Sequence, residues 1–337
     1  MGNKYDAIII GAGPAGLAAA RELAASGARV AVLEKNREIG RKVCAGGITW
    51  SGLLKEVPGK LIAATFKEQR IVTPLQDFLI REEHPIIATL SRQKLGRWMA
   101  EAAAAAGAEI ICGRRVEAID QGRLRLNGEE ISFDHLIGCD GSSSMVRRYL
   151  GLAADDYGIG IDYRVAGEFP RMEWHLSPRL FGNGYAWIFP HDGSASIGAY
   201  CHCRTMSAAK LNRAFLTWAR DHGIGLGQTP PRAARINLAY QGWRFGRTFL
   251  AGDAAGLASA LTGEGILPAV ISGRAAARAI IHPEEKTPAM DRLARKWAIH
   301  RRMVRLTSSP LFRGPFFEPM ILAIRAGLIS FKALEMG

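Results

Sequence analysis

The run Gly11-Ala12-Gly13-Pro14-Ala15-Gly16 limits what this chain can fold into more than any other feature, because of what flanks it. Ahead of it, Tyr5 to Ile10 reads as a buried strand. Behind it, the alanine-rich stretch from Pro14 to Ser26 reads as a helix closed by Gly27, and Arg29 to Glu34 reads as a second strand. In this βαβ setting each glycine has its own task. Gly11 makes the turn, Gly13 lets a pyrophosphate approach the backbone, and Gly16 lets the helix lie against the strand, with the helix N-terminus facing the anion. Glu34 closes the second strand, where a carboxylate can accept hydrogen bonds from the ribose hydroxyls of an adenosine. The pattern points to a dinucleotide, without separating a nicotinamide from a flavin. The plainer alternative is a glycine turn with Glu34 as a solvated strand end.

A second motif far downstream makes that separation. In Phe249-Leu250-Ala251-Gly252-Asp253, an aspartate at a strand end can take a hydrogen bond from a ribityl hydroxyl, which NAD lacks. Leu261-Thr262-Gly263-Glu264-Gly265-Ile266 opens a helix whose first N–H groups, at Gly265 and Ile266, can meet a flavin pyrimidine edge, where negative charge gathers on reduction. Between these motifs lies Ile137-Gly138-Cys139-Asp140-Gly141, running on to Arg147. The three motifs in this order resemble the FAD-binding family of p-hydroxybenzoate hydroxylase and its relatives, over residues 1 to about 282. The resemblance implies an α/β fold: a Rossmann-like FAD-binding domain, an inserted antiparallel β-sheet substrate domain and a helical C-terminus.

Within that superfamily, two further features resemble the geranylgeranyl reductase family. One is the loop Arg41-Lys42-Val43-Cys44-Ala45-Gly46-Gly47-Ile48; the other is Tyr185-Ala186-Trp187-Ile188-Phe189-Pro190, which matches the family's Y-x-W-x-F-P. The loop reads Cys-Ala-Gly-Gly where other members have Cys-Gly-Asp or Cys-Gly-Gly. Members of the family reduce isolated C=C bonds of polyprenyl chains, so the resemblance implies an FAD-dependent reductase with an apolar small-molecule or lipid substrate. It implies cofactor contacts at Gly11, Gly13, Ala15, Gly16 and Glu34, at Cys44, Ala45 and Gly47, and at Arg92, Val116, Asp140, Asp253, Gly265 and Ile266. Cys44, Tyr185 and Trp187 are the catalytic candidates. A thiol beside the flavin could donate a proton opposite hydride attack or position the substrate, and residues two apart on a strand share a face, so Tyr185 and Trp187 could line an apolar channel. His191 reads as a polar turn residue that could also reach that channel, and Arg147 falls in the segment that approaches pyrophosphate in relatives.

Two rivals share the fold. An aromatic hydroxylase would consume NADPH and O₂, and a halogenase would carry W-x-W-x-I-P, where this chain has Tyr185. A non-catalytic electron-relay flavoprotein is a third. No second dinucleotide motif is present, so the sequence leaves the electron donor open between NAD(P)H bound transiently, a ferredoxin-type redox partner protein and a quinol.

The rest of the chain is organised around these motifs. Residues 1–62, 91–152 and 245–282 are assigned to the FAD domain, 63–90 and 153–244 to the sheet domain, and 283–337 to a helical segment. Ser91 should cap a helix to Ala106. Lys and Arg number 44 against 31 Asp and Glu, a net +13, which suits an anionic cofactor or membrane surface. No nucleic-acid reader motif accompanies that charge, so nucleic acid is not an expected partner. Much of it lies between Asp291 and Arg313, where Leu293, Trp297 and Val304 share one helical side and Arg295, Arg301, Arg302 and Arg305 supply charge. This segment is the candidate for contact with an anionic membrane. The five cysteines are too few and odd in number for a disulfide framework, and no basic leader precedes Tyr5. A cytoplasmic location, peripheral to the membrane at most, is the expectation. Cys201-His202-Cys203 lacks a second ligand pair, so no metal is expected.

Overall fold

The computed structural model describes residues 4–49 and 53–336. In chain order, β1 (Lys4–Ile10), α1 (Pro14–Ala25) and β2 (Val30–Glu34) form the opening βαβ unit. There follow β3 (Gly47–Thr49), β4 (Ile62–Phe66), β5 (Glu68–Val72), β6 (Asp77–Arg81) and β7 (Ile87–Leu90), then α2 (Arg92–Ala105) and β8 (Glu109–Cys112). Next come β9 (Val116–Asp120), β10 (Arg123–Leu126), β11 (Glu129–Gly138) and the short α3 (Met145–Tyr149). The middle of the chain supplies β12 (Tyr157–Ala166), β13 (Met172–His175), α4 (Pro178–Phe181), β14 (Tyr185–His191), β15 (Ser194–His202), α5 (Ala208–Asp221) and β16 (Arg232–Asn237). It ends with β17 (Arg244–Phe245), β18 (Thr248–Leu250), α6 (Ile266–Ile281), α7 (Pro288–Ser308) and α8 (Pro310–Arg325).

The first sheet runs β17-β18-β11-β1-β2-β8, with β10 and β9 folded back from β11. Its centre is parallel: β1 pairs with both β11 and β2, and β11 with β18. Ile8 and Ile9, on opposite faces of β1, are both fully buried, as a parallel strand covered on two sides requires. The apolar run that began the sequence argument is therefore the central strand.

The second sheet runs β16-β12-β15-β14-β13-β5-β6 and is antiparallel except where β13 meets β5. β3, β7 and β4 form a separate three-stranded sheet, so the material from Phe66 to Ile87 is divided: β5 and β6 extend the large sheet, while β4 and β7 join β3, the strand that follows the cysteine loop. Ser91 caps α2 by accepting the Lys94 N–H.

Helix α7 corrects the expectation for its apolar side. Leu293 and Trp297 are buried against the nucleotide domain and Val304 against the substrate-domain cluster, so these side chains face the protein's own core. Arg301 is also turned inward. Its Nε donates to Asp156 Oδ2 at 3.1 Å, and its guanidinium lies 5.2 Å from the Trp297 ring centroid. Asp156 in turn meets His202 Nε2 at 2.7 Å, while His202 Nδ1 accepts the Arg204 N–H. The His202 bond, followed by that of Arg301, draws the Asp156 pKa down to about 2. The His202 segment thus ties α7 to the sheet. Among the described residues, no helix is long and apolar enough to cross a membrane.

Candidate active site

One continuous cavity of about 300 Å³ runs from the glycine turn to the second sheet. At its nucleotide end, Gly11 has φ +105°, and a Cβ there would lie 2.3 Å from the Cys139 carbonyl oxygen. A Cβ on Gly16 would lie 2.0 Å from the Gly11 carbonyl oxygen, so the turn and the helix touch as backbone. Gly13 differs: a Cβ would meet only Cys139 O, at 4.0 Å, and the position opens into the cavity. Ala15 lines the cavity and packs its carbonyl against Gly273 of α6, at 2.1 Å from where a Cβ would stand. Glu34 accepts the Ala12 N–H at 2.9 Å through Oε2, and both the Asn36 N–H and side-chain amide through Oε1.

At the flavin end, Gly265 precedes Ile266 at the start of α6, and no side chain caps that helix. Its first N–H groups face the cavity. Asp253 also lines the cavity, with Oδ2 held by the Lys42 ammonium and the Ser142 hydroxyl. Arg92 begins α2 with its Nη1 buried and without a hydrogen-bond partner. An orphaned buried guanidinium nitrogen, an uncapped sixteen-residue helix and an open glycine converge on one cavity. That donor set fits an anionic dinucleotide with an electron-rich ring at its far end.

Gly11 and Gly16 shape the turn without lining the cavity, and the side chains of three other expected residues lie off its wall. Asp140 turns Oδ2 to the Met145 and Val146 N–H groups at the start of α3. Val116 is buried in the core behind the sheet. Arg147 is an interior brace: it is 1% exposed and donates to the carbonyls of Ala153, Ala239, Ala254 and Ala255. Its place in the motif pointed toward pyrophosphate, but its side chain runs the other way, into backbone that would otherwise lack donors.

The opposite wall is the aromatic face of the second sheet. Register places Tyr185 opposite Tyr200 and Trp187 opposite both Trp174 and Gly198. The Trp187 ring occupies the room that Gly198 leaves, for a Cβ there would stand 2.4 Å from its Cζ2. Tyr185 stacks on Trp174 at 5.2 Å between centroids and donates its hydroxyl to the Thr262 carbonyl. Burial, reinforced by Cys44 and Glu264, pushes the Tyr185 pKa far above its usual range. Trp187 Nε1 donates to Ser196 Oγ at 3.0 Å.

The cysteine loop closes the third side. Cys44 Sγ accepts the Gly46 N–H at 3.3 Å, and the Ala45 carbonyl accepts from His191 Nε2 at 2.9 Å. Burial lowers the His191 pKa, against the pull of the Ala45 bond. Gly47 is packed under Phe189, with 2.8 Å between that ring and a hypothetical Cβ. Cys44, Tyr185 and Trp187 therefore share one cavity with Gly13, Glu34 and Gly265. Trp174, Tyr200, Asp162 and Glu264 line it too and were not singled out from sequence. The alternation of β14 and β15 carried a signal for Tyr200, but only the strand register reveals its position opposite Tyr185.

Comparison with known proteins places this geometry in a family. The FAD binding domain family matches residues 4–163. Geranylgeranyl diphosphate reductase of Rhodobacter capsulatus is 31% identical over 300 residues, covering 82% of this chain and 75% of that protein. The chain belongs to the geranylgeranyl reductase family of FAD-dependent oxidoreductases. Digeranylgeranylglycerophospholipid reductase of Methanosarcina mazei is 29% identical over 313 residues, covering 83% and 75% of the two chains. Among solved structures, a geranylgeranyl bacteriochlorophyll reductase-like protein from Thermoplasma acidophilum has the same fold, with a TM-score of 0.77 at 22% identity over 98% of this chain and all of that one. The cofactor of the family is FAD.

Glu34 offers a direct test of the adenosine end. Its carboxylate holds the turn through Ala12, and if it also takes ribose hydroxyls, Glu34→Ala should weaken FAD binding by about 1–3 kcal/mol. Flavin fluorescence titration of the apoprotein measures the change; unaltered affinity would return Glu34 to a role in the turn alone.

Proposed function

We propose that this enzyme reduces isolated C=C bonds in the isoprenoid chain of a lipid-like substrate. The observation that carries the reading is the aromatic wall formed by Trp174, Tyr185, Trp187 and Tyr200, set across the cavity from the cofactor residues and beside Cys44. Bound FAD, once reduced, supplies two electrons as hydride. The chain's own residues do the rest. The aromatic faces hold an apolar chain by burial, with the hydroxyl of Tyr185 and the indole N–H of Trp187 satisfied internally and so not calling for a polar substrate. Cys44, its sulfur fixed by the Gly46 N–H, shares the cavity with the aromatic wall and would border the reacting bond there. The relatives named above act on geranylgeranyl diphosphate and digeranylgeranylglycerophospholipid, and both names describe long prenyl chains.

Turnover with a polyprenyl alkene under labelled O₂ tests this reading: the product should gain two hydrogens per reduced bond and no label. Labelled oxygen in the product would establish the hydroxylase instead. In the same assay Cys44→Ala should retain FAD and slow reduction by roughly tenfold or more, because it removes a group at the reacting bond and leaves the cofactor's anchors in place. Equal turnover would make Cys44 structural.

A lipid-linked substrate also calls for a membrane surface. On α7, Arg292, Arg295, Arg302 and Arg305 are exposed beside the exposed apolar side chains of Ile299 and Leu306. An arginine near an anionic surface contributes about 1 kcal/mol. Flotation should show binding to anionic liposomes that falls with salt and drops when Arg295, Arg302 and Arg305 become Gln. Absence of binding at low salt would favour a substrate that reaches the enzyme through water.

A further inference from the structure

The reduction needs a proton as well as a hydride, and most of the polar groups facing the cavity are committed elsewhere. The Tyr185 hydroxyl donates to Thr262 O and the Trp187 indole to Ser196. Asp253 is held as an acceptor by Lys42 and Ser142, while Cys44 accepts an N–H on its sulfur and keeps its own S–H. Glu264 is placed differently. It sits between Gly263 and the Gly265 cap of α6, on the wall shared with Cys44 and Tyr185. We propose that Glu264 is the general acid of the reaction, giving its proton to the alkene carbon that does not receive hydride.

Geometry supports this placement. The Glu264 backbone is fixed on both sides, its carbonyl accepting the Ser259 N–H at 2.8 Å and its N–H meeting Thr262 Oγ1 at 3.3 Å. Ser259 is itself pinned from α7 by His300 Nδ1, at 2.8 Å. The carboxyl therefore has a set position before substrate arrives, which a proton donor requires. Its Oε2 accepts the Met336 N–H at 3.0 Å, a bond that strengthens when the group becomes a carboxylate.

Lys296 on α7 and Tyr185 on β14 act on it electrostatically, and Cys44 in its loop and Glu335 beyond α8 line the same cavity. Burial raises the Glu264 pKa, while Met336, Lys296 and Thr49 pull it back. Burial thus shifts the balance toward the acid form relative to a solvated carboxyl, and the Met336 N–H supports a carboxylate after transfer. The step balances: the O–H bond of Glu264 breaks, the π pair of the alkene forms the new C–H bond to that proton, and hydride from reduced flavin supplies the pair for the other carbon. Solvent then restores the proton.

This inference rests on the reductase reading, so the test separates the two. Glu264→Gln and Glu264→Asp are prepared as holoenzymes and compared with the parent. E264Q should keep FAD and accept electrons from dithionite at the parental rate, yet pass them to a polyprenyl alkene at least a hundredfold more slowly, the lower end of what a general acid supplies. The parental alkene rate should fall at high pH, that limb should vanish in E264Q, and E264D should recover part of the rate. Infrared spectra of the apoproteins give a readout independent of turnover: a protonated-carboxyl band in the parent at neutral pH should be missing from E264Q. Alkene reduction by E264Q at the parental rate with the same pH profile would overturn the proposal, and so would loss of FAD from E264Q, which would make Glu264 a cofactor anchor. A parent that reduces no alkene would overturn the reductase reading itself.

Discussion

Gly13→Ala should leave the apoprotein folded and reduce FAD affinity by about a hundredfold or more, whereas Gly16→Ala should destabilise the protein before any cofactor is added. The difference follows from what a methyl group meets. At Gly13 it meets nothing closer than Cys139 O at 4.0 Å, and it projects into the cavity where pyrophosphate must approach the backbone. Losing two hydrogen bonds to a charged group, each about 1.5–3 kcal/mol, exceeds a hundredfold. At Gly16 the same methyl would stand 2.0 Å from Gly11 O and 3.1 Å from Ile9 Cγ2, so α1 must move off β1. Overpacking of this kind costs about 1–3 kcal/mol, and more where the obstacle is backbone. Thermal melting of the two apoproteins with flavin titration of each checks both halves. Equal FAD affinity in Gly13→Ala and parent would remove the pyrophosphate from this turn.

The second large effect lies away from the cavity. Arg147→Met should destabilise the fold by about 3 kcal/mol or more, because the interior carbonyls of Ala239, Ala254 and Ala255 lose their donor at once and that of Ala153 is left to Gln241. Those carbonyls belong to the chain after α3, the segment before β17 and the turn that carries Asp253, so this one side chain joins the sheet domain's return to the nucleotide domain. Urea denaturation should show a lower midpoint with an unchanged slope. A midpoint equal to the parent's would mean that water replaces the guanidinium, and the brace would be dispensable.

Arg147 also marks the boundary of what could be read in advance. The glycines of the first turn, Glu34, and Gly265 at the head of α6 were legible, because each answers a local requirement set by neighbours in sequence. Tyr185 and Trp187 were legible as a pair, since a strand's alternation places them on one face. Their partners were not. Tyr200 and Trp174 join them only through the pairing of β14 with β15 and β13, and Gly198 makes room for Trp187 only in that register. The division of residues 62–90 between two sheets is likewise a matter of long-range pairing. On α7 the 3.6-residue period identified an apolar side correctly but could not say what covers it. The protein's own core covers Leu293, Trp297 and Val304, and Arg301 follows them inward to meet Asp156. Glu264 escaped notice for another reason: between two glycines it reads as part of a turn, and its chemistry depends on Met336, seventy-two positions away.

The central claim is that electrons held on FAD in this cavity go to an isoprenoid C=C bond. It is tested most directly by reducing the purified holoenzyme anaerobically, mixing it with a geranylgeranyl-bearing substrate, and following flavin absorbance while the product is analysed by mass. The account predicts that the oxidised flavin spectrum returns without O₂ and in step with a product two hydrogens heavier. A flavin that stays reduced until O₂ is admitted, with the alkene recovered unchanged, would contradict it.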